Sequence, residues 1–108
     1  MDFNKETQEK IKEIQLKEQN SQMILLQKQS FQMELSEIEN ALSELEHSEI
    51  TYKLIGQILI KKDKNIIKDE LQKTQKILSL RVQSLEKQED SLSQEIEELR
   101  QNIMKSIN

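Results

Sequence analysis

The side chains able to carry out chemistry are few in kind in this 108-residue sequence. It has one histidine, His47, and no cysteine, so a disulfide, a thiolate metal site and a cysteine nucleophile are excluded. His47 lies near the end of the first predicted helix, where a cation suits the helix dipole. The carboxylates lie at helical spacing among lysines and glutamines, which is typical of a solvated helix face. We therefore expect no enzymatic activity, no metal and no cofactor.

The one cluster of basic side chains in the sequence comprises Lys61, Lys62, Lys64 and Lys68. The segment 50–76 carries a net charge of +4, whereas residues 1–49 carry −6 and residues 77–108 carry −2. Acidic flanks and the lack of stacking aromatics disfavour a nucleic-acid partner. Lysines that protect a strand edge from unwanted pairing are the simpler interpretation of Lys61 and Lys62.

The composition favours long helices over a thick globular core. Hydrophobic residues make up 34% of the sequence and aromatics 3%, with no proline and a single glycine, so little interrupts a helix. The longest apolar run, 23–26, is too short to cross a bilayer or to act as a signal segment. We expect a soluble cytoplasmic protein with no membrane partner.

Helical periodicity stops at one place, between Ile50 and Lys61. Two runs rich in β-branched residues flank Gly56-Gln57, and a glycine at the first loop position suits a two-residue type II′ turn. The sequence therefore predicts a mainly α, single-domain chain with a first helix over 1–48, a β-hairpin over 50–61 and a second helix over 63–107, where Asp63 is the N-cap.

Both predicted helices carry a heptad seam, which is typical of a coiled coil. In the first helix the apolar part is Phe31, Leu35, Ile38, Leu42 and Leu45. Continued backward, the seam meets Lys28, Ile24, Ser21, Lys17, Ile14 and Lys10. In the second helix it comprises Leu71, Leu78, Val82, Leu85, Leu92, Ile96, Leu99 and Ile103, interrupted by Gln75 and Glu89.

A short reversal between arms of similar length favours an antiparallel coiled coil. Facing residue numbers should then have a nearly constant sum, and a sum near 113 aligns the two seams. Layers near the hairpin become apolar on both sides, whereas the outer layers are mixed. Lys28 and Glu89 lie one turn apart across the seam and are predicted either to pair or to extend separately into water.

The predicted hairpin has apolar residues on both faces. Ile55, Ile58 and Ile60 share one face, and Tyr52, Leu54 and Leu59 share the other. A lone hairpin is marginal in water and exposes two strand edges. We expect it to assemble with hairpins of other subunits into an intersubunit barrel, the alternative being that it folds onto its own helix ends.

Further apolar residues lie off the seam. They are Leu16, Met23, Leu25, Leu26 and Met33. A second group of apolar residues lies near the arm ends, namely Phe3, Ile11, Met104 and Ile107 together with the seam residue Ile103. Methionine and isoleucine on a loosely packed helix end make an adaptable binding surface. Alternatively, these residues widen the seam or fray with the termini.

The motif Tyr52-Lys53-Leu54-Ile55-Gly56, followed by Ile58 to Lys61 and a helix through Glu70 and Glu89, resembles the β-class subunit of prefoldin. That class includes the archaeal β subunit and eukaryotic subunit six. The order helix, single hairpin, helix agrees with it over nearly the whole chain. Gln57 departs from the family, in which Asn or Pro is common at that position.

The resemblance implies a heterohexamer of two α-class and four β-class subunits with a double β-barrel body and six coiled-coil arms. Such complexes hold unfolded proteins without ATP and pass them to a group II chaperonin. The implied assembly residues are Tyr52, Leu54, Ile55, Gly56, Ile58, Leu59 and Ile60. The implied client-binding residues are Phe3, Ile11, Ile14, Ile103, Met104 and Ile107. A coiled-coil scaffold or tether with one fixed partner is the competing hypothesis.

Overall fold

The computed structural model describes residues 4–107 and contains four elements in the predicted order. Helix α1 spans Lys5–Glu46, strand β1 spans Tyr52–Ile55, strand β2 spans Ile58–Lys61, and helix α2 spans Lys64–Ile107. The mainly α fold with a single hairpin is thereby confirmed. The first helix ends at Glu46, two residues before the predicted end, and residues 1–3 of its predicted range lie outside the described part.

Each helix begins at a polar side chain that caps free backbone amides. Asn4 Oδ1 accepts a hydrogen bond from the Thr7 amide at 2.7 Å. Asp63 Oδ1 accepts a longer one from the Asn65 amide at 3.4 Å, which confirms the predicted cap of α2. Side-chain oxygens at these positions satisfy donors that have no partner within the helix.

Helix α1 ends in a tightened turn. The His47 amide donates to the Glu44 carbonyl and the Ser48 amide to the Leu45 carbonyl, both at 3.2 Å. The Glu46 carbonyl accepts a hydrogen bond from Lys64 Nζ at 2.9 Å. Amides three residues further along the chain and the Lys64 ammonium group thus satisfy the last carbonyls of α1. This arrangement accounts for the end of the helix at Glu46, before the predicted end.

The hairpin has the predicted register. Ile55 pairs with Ile58 and Tyr52 with Lys61 in antiparallel alignment, so every pair sums to 113 and the loop has two residues. Gly56 has a φ of +60°, and no non-glycine residue among 4–107 has a positive φ. A positive φ at the first loop position alone is a feature of the type II′ turn, whereas type I′ needs it at both.

The described chain divides into two compact units, each built from parts of both helices. The hairpin unit comprises residues 30–82, and the terminal unit comprises 4–29 with 83–107. In the hairpin unit Leu45, Leu78 and Val82 are buried, and the other seam residues of this unit are half-buried. Arg81 lies 5.7 Å from the Phe31 ring centroid, which is a cation–π distance.

The seam of the terminal unit is less apolar. Leu85 and Ile96 are buried, but on α1 the seam positions include Lys10, Lys17 and Ser21, all half-buried. Thr7 lies three residues before Lys10, at the next position of the seam, and is only 3% exposed. Every residue assigned to the two predicted seams is buried or half-buried, so the heptad assignment is confirmed in both units.

Three ion pairs join α1 to α2 in the terminal unit. Lys28 Nζ lies 2.6 Å from Glu89 Oε1, Lys17 Nζ 2.9 Å from Glu95 Oε2, and Arg100 Nη2 2.8 Å from Glu18 Oε1. Of the two alternatives left open for Lys28 and Glu89, the structure has the ion pair and not two separately solvated side chains. In each pair the two residue numbers sum to between 112 and 118, and a nearly constant sum is what antiparallel helices require. Within residues 4–107, neither helix has an apolar stretch that could span a membrane.

The seam generates a prediction that uses two leucines of the same helix. Leu78→Ala removes a side chain that is 5% exposed, whereas Leu80→Ala removes one that is 57% exposed. We expect the first to lower the free energy of unfolding by about 2–3 kcal/mol and the second by less than about 0.5 kcal/mol. Urea denaturation followed by far-UV circular dichroism measures both, and equal losses would contradict the seam.

Candidate functional site

The β-hairpin presents six large apolar side chains to solvent. Their exposed fractions lie between 45% for Ile60 and 66% for Ile58 and Leu59. The register divides the hairpin into two faces. The lysine face comprises Thr51, Lys53, Ile55, Ile58, Ile60 and Lys62, and the tyrosine face comprises Tyr52, Leu54, Leu59 and Lys61.

The chain itself covers only the base of the lysine face, at Thr51, Lys53 and Lys62, and leaves the rest of both faces exposed. The sheet has two strands, so each strand has one side whose alternate amides and carbonyls have no partner strand. The exposed fractions show that the hairpin does not fold onto its own helix ends. The structure brings together all seven predicted assembly residues, whose role in assembly stays a prediction.

One carboxylate connects the lysine face to α2. Glu70 Oε2 accepts a hydrogen bond from Lys53 Nζ at 2.8 Å, and Glu70 Oε1 accepts one from Lys62 Nζ at 2.6 Å. Both oxygens of a single side chain are thus occupied by two cations. We call these three residues the Glu70 clamp.

The pKa of Glu70 shows the strength of this environment. The hydrogen bonds from Lys53 and then Lys62 lower the Glu70 pKa from 4.5 to about 2, since hydrogen bonds and cations favour the ionised form. The hydrogen bond to Glu70 likewise raises the pKa of Lys53. The Glu70 carboxylate and the Lys53 ammonium group are therefore both ionised at neutral pH.

Two hydrogen bonds between Thr51 and Lys62, one of them from a side chain, extend the hairpin past its last strand pair. The Lys62 amide donates to the Thr51 carbonyl at 3.0 Å, and Thr51 Oγ1 donates to the Lys62 carbonyl at 2.6 Å. Thr51 is 8% exposed. Thr51 and Lys62 also sum to 113, so Lys62 lies on the same face as Lys53.

Five of the six predicted client-binding residues belong to the terminal unit, and they differ in exposure. Met104 is 62% and Ile107 is 42% exposed, whereas Ile11, Ile14 and Ile103 are half-buried. Phe3 lies outside the described residues. Met104 and Ile107 are thus available to a partner, whereas the half-buried Ile14 and Ile103 belong to the seam.

A second apolar surface in the terminal unit is an open groove of about 430 Å³. We call it the arm groove. Met23, Ile24 and Leu92 supply its apolar lining, and amide and hydroxyl side chains border it. Leu16 and Leu26 of the same unit are also exposed, by 61% and 59%. Sequence reasoning identified Met23, Leu16 and Leu26 as off-seam residues but not the groove.

No group of three or more metal-ligating side chains occurs among residues 4–107. The exposed side chains of the described part offer surfaces for protein contact, apolar at the hairpin and mixed in the terminal unit. The comparison with known proteins agrees with this description. The family model for prefoldin subunits matches residues 8–108.

The chain belongs to the prefoldin subunit family.

The chain is similar to several proteins named prefoldin subunit beta. The chain is 36% identical over 93 residues to the prefoldin subunit beta of Thermococcus onnurineus, covering 83% of this chain and 80% of that protein. It is 37% identical over 89 residues to that of Pyrobaculum islandicum, covering 80% and 71%. The resemblance to the β class is confirmed, and membership of this family implies the role of a chaperone subunit.

A solved prefoldin structure has the same fold. The crystal structure of the prefoldin beta subunit from Thermococcus strain KS-1 superposes with a TM-score of 0.90 at 29% identity. The match covers 96% of this chain and 94% of that one. The helix, hairpin, helix order of this chain is therefore that of a prefoldin β subunit.

The Glu70 clamp is the part of this prefoldin hairpin that sequence reasoning missed. In the sequence Glu70 stands out only as part of the family motif. It lies 17 residues after Lys53 and 8 after Lys62, and these separations do not indicate a contact. Lys62 was assigned to edge protection and Lys53 to no role. One signal was available, since Lys53 and Lys62 fall on the same face once the register is extended by one pair.

The clamp predicts a specific pH dependence. A carboxylate with a lowered pKa stabilises the fold above its ordinary pKa of 4.5, and this stabilisation is lost as the pH falls from there to about 2. The stability difference between the wild type and Glu70→Gln should be constant from pH 7 to 5 and should disappear near pH 2. Thermal unfolding at each pH measures this difference.

A carboxyl-resolved NMR titration gives the second measurement. Glu70 should titrate near pH 2 in the wild type, and Lys53→Met should shift its midpoint toward 4.5 because the largest cause of the lowered pKa is then removed. A midpoint near 4.5 in the wild-type protein would show that the clamp does not form in solution.

Proposed function

We propose that this chain is a subunit of an ATP-independent chaperone complex that captures unfolded proteins and delivers them to a group II chaperonin in the cytoplasm. The observation that carries the proposal is the hairpin, whose six large apolar side chains are all at least 45% exposed. Such a surface is unfavourable in an isolated soluble chain and indicates a protein interface.

Assembly through the hairpin explains this exposure. Pairing with neighbouring hairpins satisfies the free strand edges by backbone hydrogen bonds, and closure into a barrel removes the edges altogether. Burial of the two faces adds hydrophobic stabilisation that one hairpin cannot obtain from its own chain. The proposed partners are α-class and other β-class prefoldin subunits in a heterohexamer.

Client capture is assigned to the terminal unit. Met104 and Ile107 are exposed there, and methionine adapts to apolar segments of varied shape. The arm groove adds Met23 and Leu92 to the available surface. Each contact is weak, so affinity for an unfolded chain depends on several subunits that bind it at once.

The assembly role predicts the effect of charge on the tyrosine face. Leu54→Asp combined with Leu59→Asp should prevent complex formation with an α-class partner, because two like charges would face each other in a buried strand pair. Far-UV helicity should stay largely unchanged, since neither residue contacts the seam. Multi-angle light scattering of the mixture measures the complex.

The matched control places the same two charges on exposed positions of α2. Ile77→Asp combined with Leu80→Asp changes side chains that are 52% and 57% exposed and should leave the mass of the complex unchanged. An unchanged mass for the hairpin variant would rule out assembly through this face.

The client role predicts a loss of function without a loss of assembly. Met104→Ser combined with Ile107→Ser should weaken the suppression of aggregation of a denatured client, because exposed apolar area is removed from the proposed contact surface. The mass of the complex should not change. Light scattering by the aggregating client, at several ratios of complex to client, measures the effect.

The control for this experiment is Met33→Ser combined with Leu80→Ser, which removes similar exposed apolar area from the hairpin unit. Full anti-aggregation activity of the Met104 and Ile107 variant would place the client site elsewhere. Binding of a single partner, with no effect on any denatured client, would instead favour the scaffold or tether hypothesis.

A further inference from the structure

We propose that Glu70 is a positioning residue for assembly, which fixes the direction of the hairpin so that its faces and edges meet neighbouring subunits. The inference rests on the proposed function, because it presupposes assembly through the hairpin. Its basis is the pair of hydrogen bonds from Lys53 and Lys62, at 2.8 and 2.6 Å, to the two oxygens of one α2 carboxylate.

Apart from the buried Thr51 at its base, the hairpin has little else to hold its direction. Every residue of β1 and β2 except Lys53 is exposed, so the strands have no apolar packing against the helices comparable to the seam. Lys53 is half-buried because of its contact with Glu70. An element attached mainly by its two backbone connections changes direction easily, unless a side-chain contact restrains it.

The geometry of the clamp restrains that motion at two points. Lys53 lies within β1, and Lys62 lies one residue after β2. Both side chains are on the lysine face, and both reach the same carboxylate. A single contact permits rotation about one bond direction, whereas contacts from both strands also resist twisting of the hairpin about its own axis.

Restraint of the hairpin favours assembly by preorganisation. A hairpin already held in the binding direction loses less conformational freedom when neighbouring strands pair with it. Exposed ion pairs are individually weak, and Lys53 and Glu70 are each about two-fifths exposed. The effect recurs at every copy of this chain in a complex, so that a small contribution for each chain becomes measurable.

The test compares assembly of Glu70→Gln with that of the wild type. In titrations with an α-class partner followed by light scattering, we expect the concentration for half-maximal assembly to rise roughly three- to tenfold. Asp69→Asn is the matched control, because Asp69 is the adjacent exposed acid and the change in net charge is the same. It should assemble like the wild type.

A charge exchange separates positioning from a general effect on folding. Glu70→Lys should assemble worse than Glu70→Gln, because three cations then lie together. Adding Lys62→Glu to Glu70→Lys recreates an ion pair between the hairpin and α2 and should recover most of the lost affinity. A loss that this exchange leaves uncorrected would overturn the proposal.

The direction of the hairpin is measured directly on the unassembled chain. The sequence has no cysteine, so spin labels can be attached at cysteines that replace Gln57 and Lys76, both exposed. Pulsed electron paramagnetic resonance should give a narrow distribution of distances between the two labels in the otherwise wild-type chain and in Asp69→Asn. It should give a broader one in Glu70→Gln, whose helicity stays unchanged.

The outcomes distinguish this inference from the proposed function. If the wild-type chain assembles, but Glu70→Gln matches it in both midpoint and distance distribution, the positioning role is wrong and the assembly role stands. If the wild-type chain and its partner form no complex, the proposed function itself fails. Weaker assembly with a broader distribution supports the positioning role.

Discussion

The structure depends on one physical constraint. A two-stranded hairpin with apolar residues on both faces needs to bury them, and its own chain leaves most of that surface exposed. A sheet normally buries at least one face, and its free edges invite further pairing. Here the residues that precede and follow the hairpin form helices whose apolar stripes are already used against each other. The apolar surface of Leu54, Ile58 and Leu59 therefore remains exposed, and under our proposal other subunits of the complex cover it.

Seam composition differs between the two units and has different consequences in each. In the hairpin unit Leu45, Leu78 and Val82 form a buried apolar seam, which gives the helices a firm junction where the hairpin begins. In the terminal unit lysines occupy seam positions and their stems pack, while the ammonium groups of Lys17 and Lys28 reach acids on the opposite helix. Lys28 shows the arrangement, since its hydrogen bond to Glu89 raises its pKa. A seam of this kind leaves apolar side chains such as Met23 and Met104 outside the packed interface.

Periodicity made most of the fold predictable from the sequence. The heptad stripe through Phe31 and Leu42 is local and repeats many times, and a two-residue loop at Gly56 fixes every strand pair that follows from it. The same stripe, continued three residues before Lys10, leads to the buried Thr7, which lies outside the predicted seam. The Glu70 clamp depends on where a bend between strand and helix directs three flexible side chains, and no periodic pattern encodes that. The choice of Lys28 to pair with Glu89 was likewise open until both side chains were placed.

The charge on the hairpin segment gives Glu70 a second physical consequence. Residues 50–76 carry a net charge of +4, and Lys53 and Lys62 lie on the same face as Ile55 and Ile58. If that face is buried between subunits, two uncompensated ammonium groups at its base would have to lose their hydration, and the cost of this would oppose the hydrophobic gain. A carboxylate shared by both lysines reduces that cost before any partner arrives. The same contact that directs the hairpin therefore also makes its lysine face electrostatically fit for an interface.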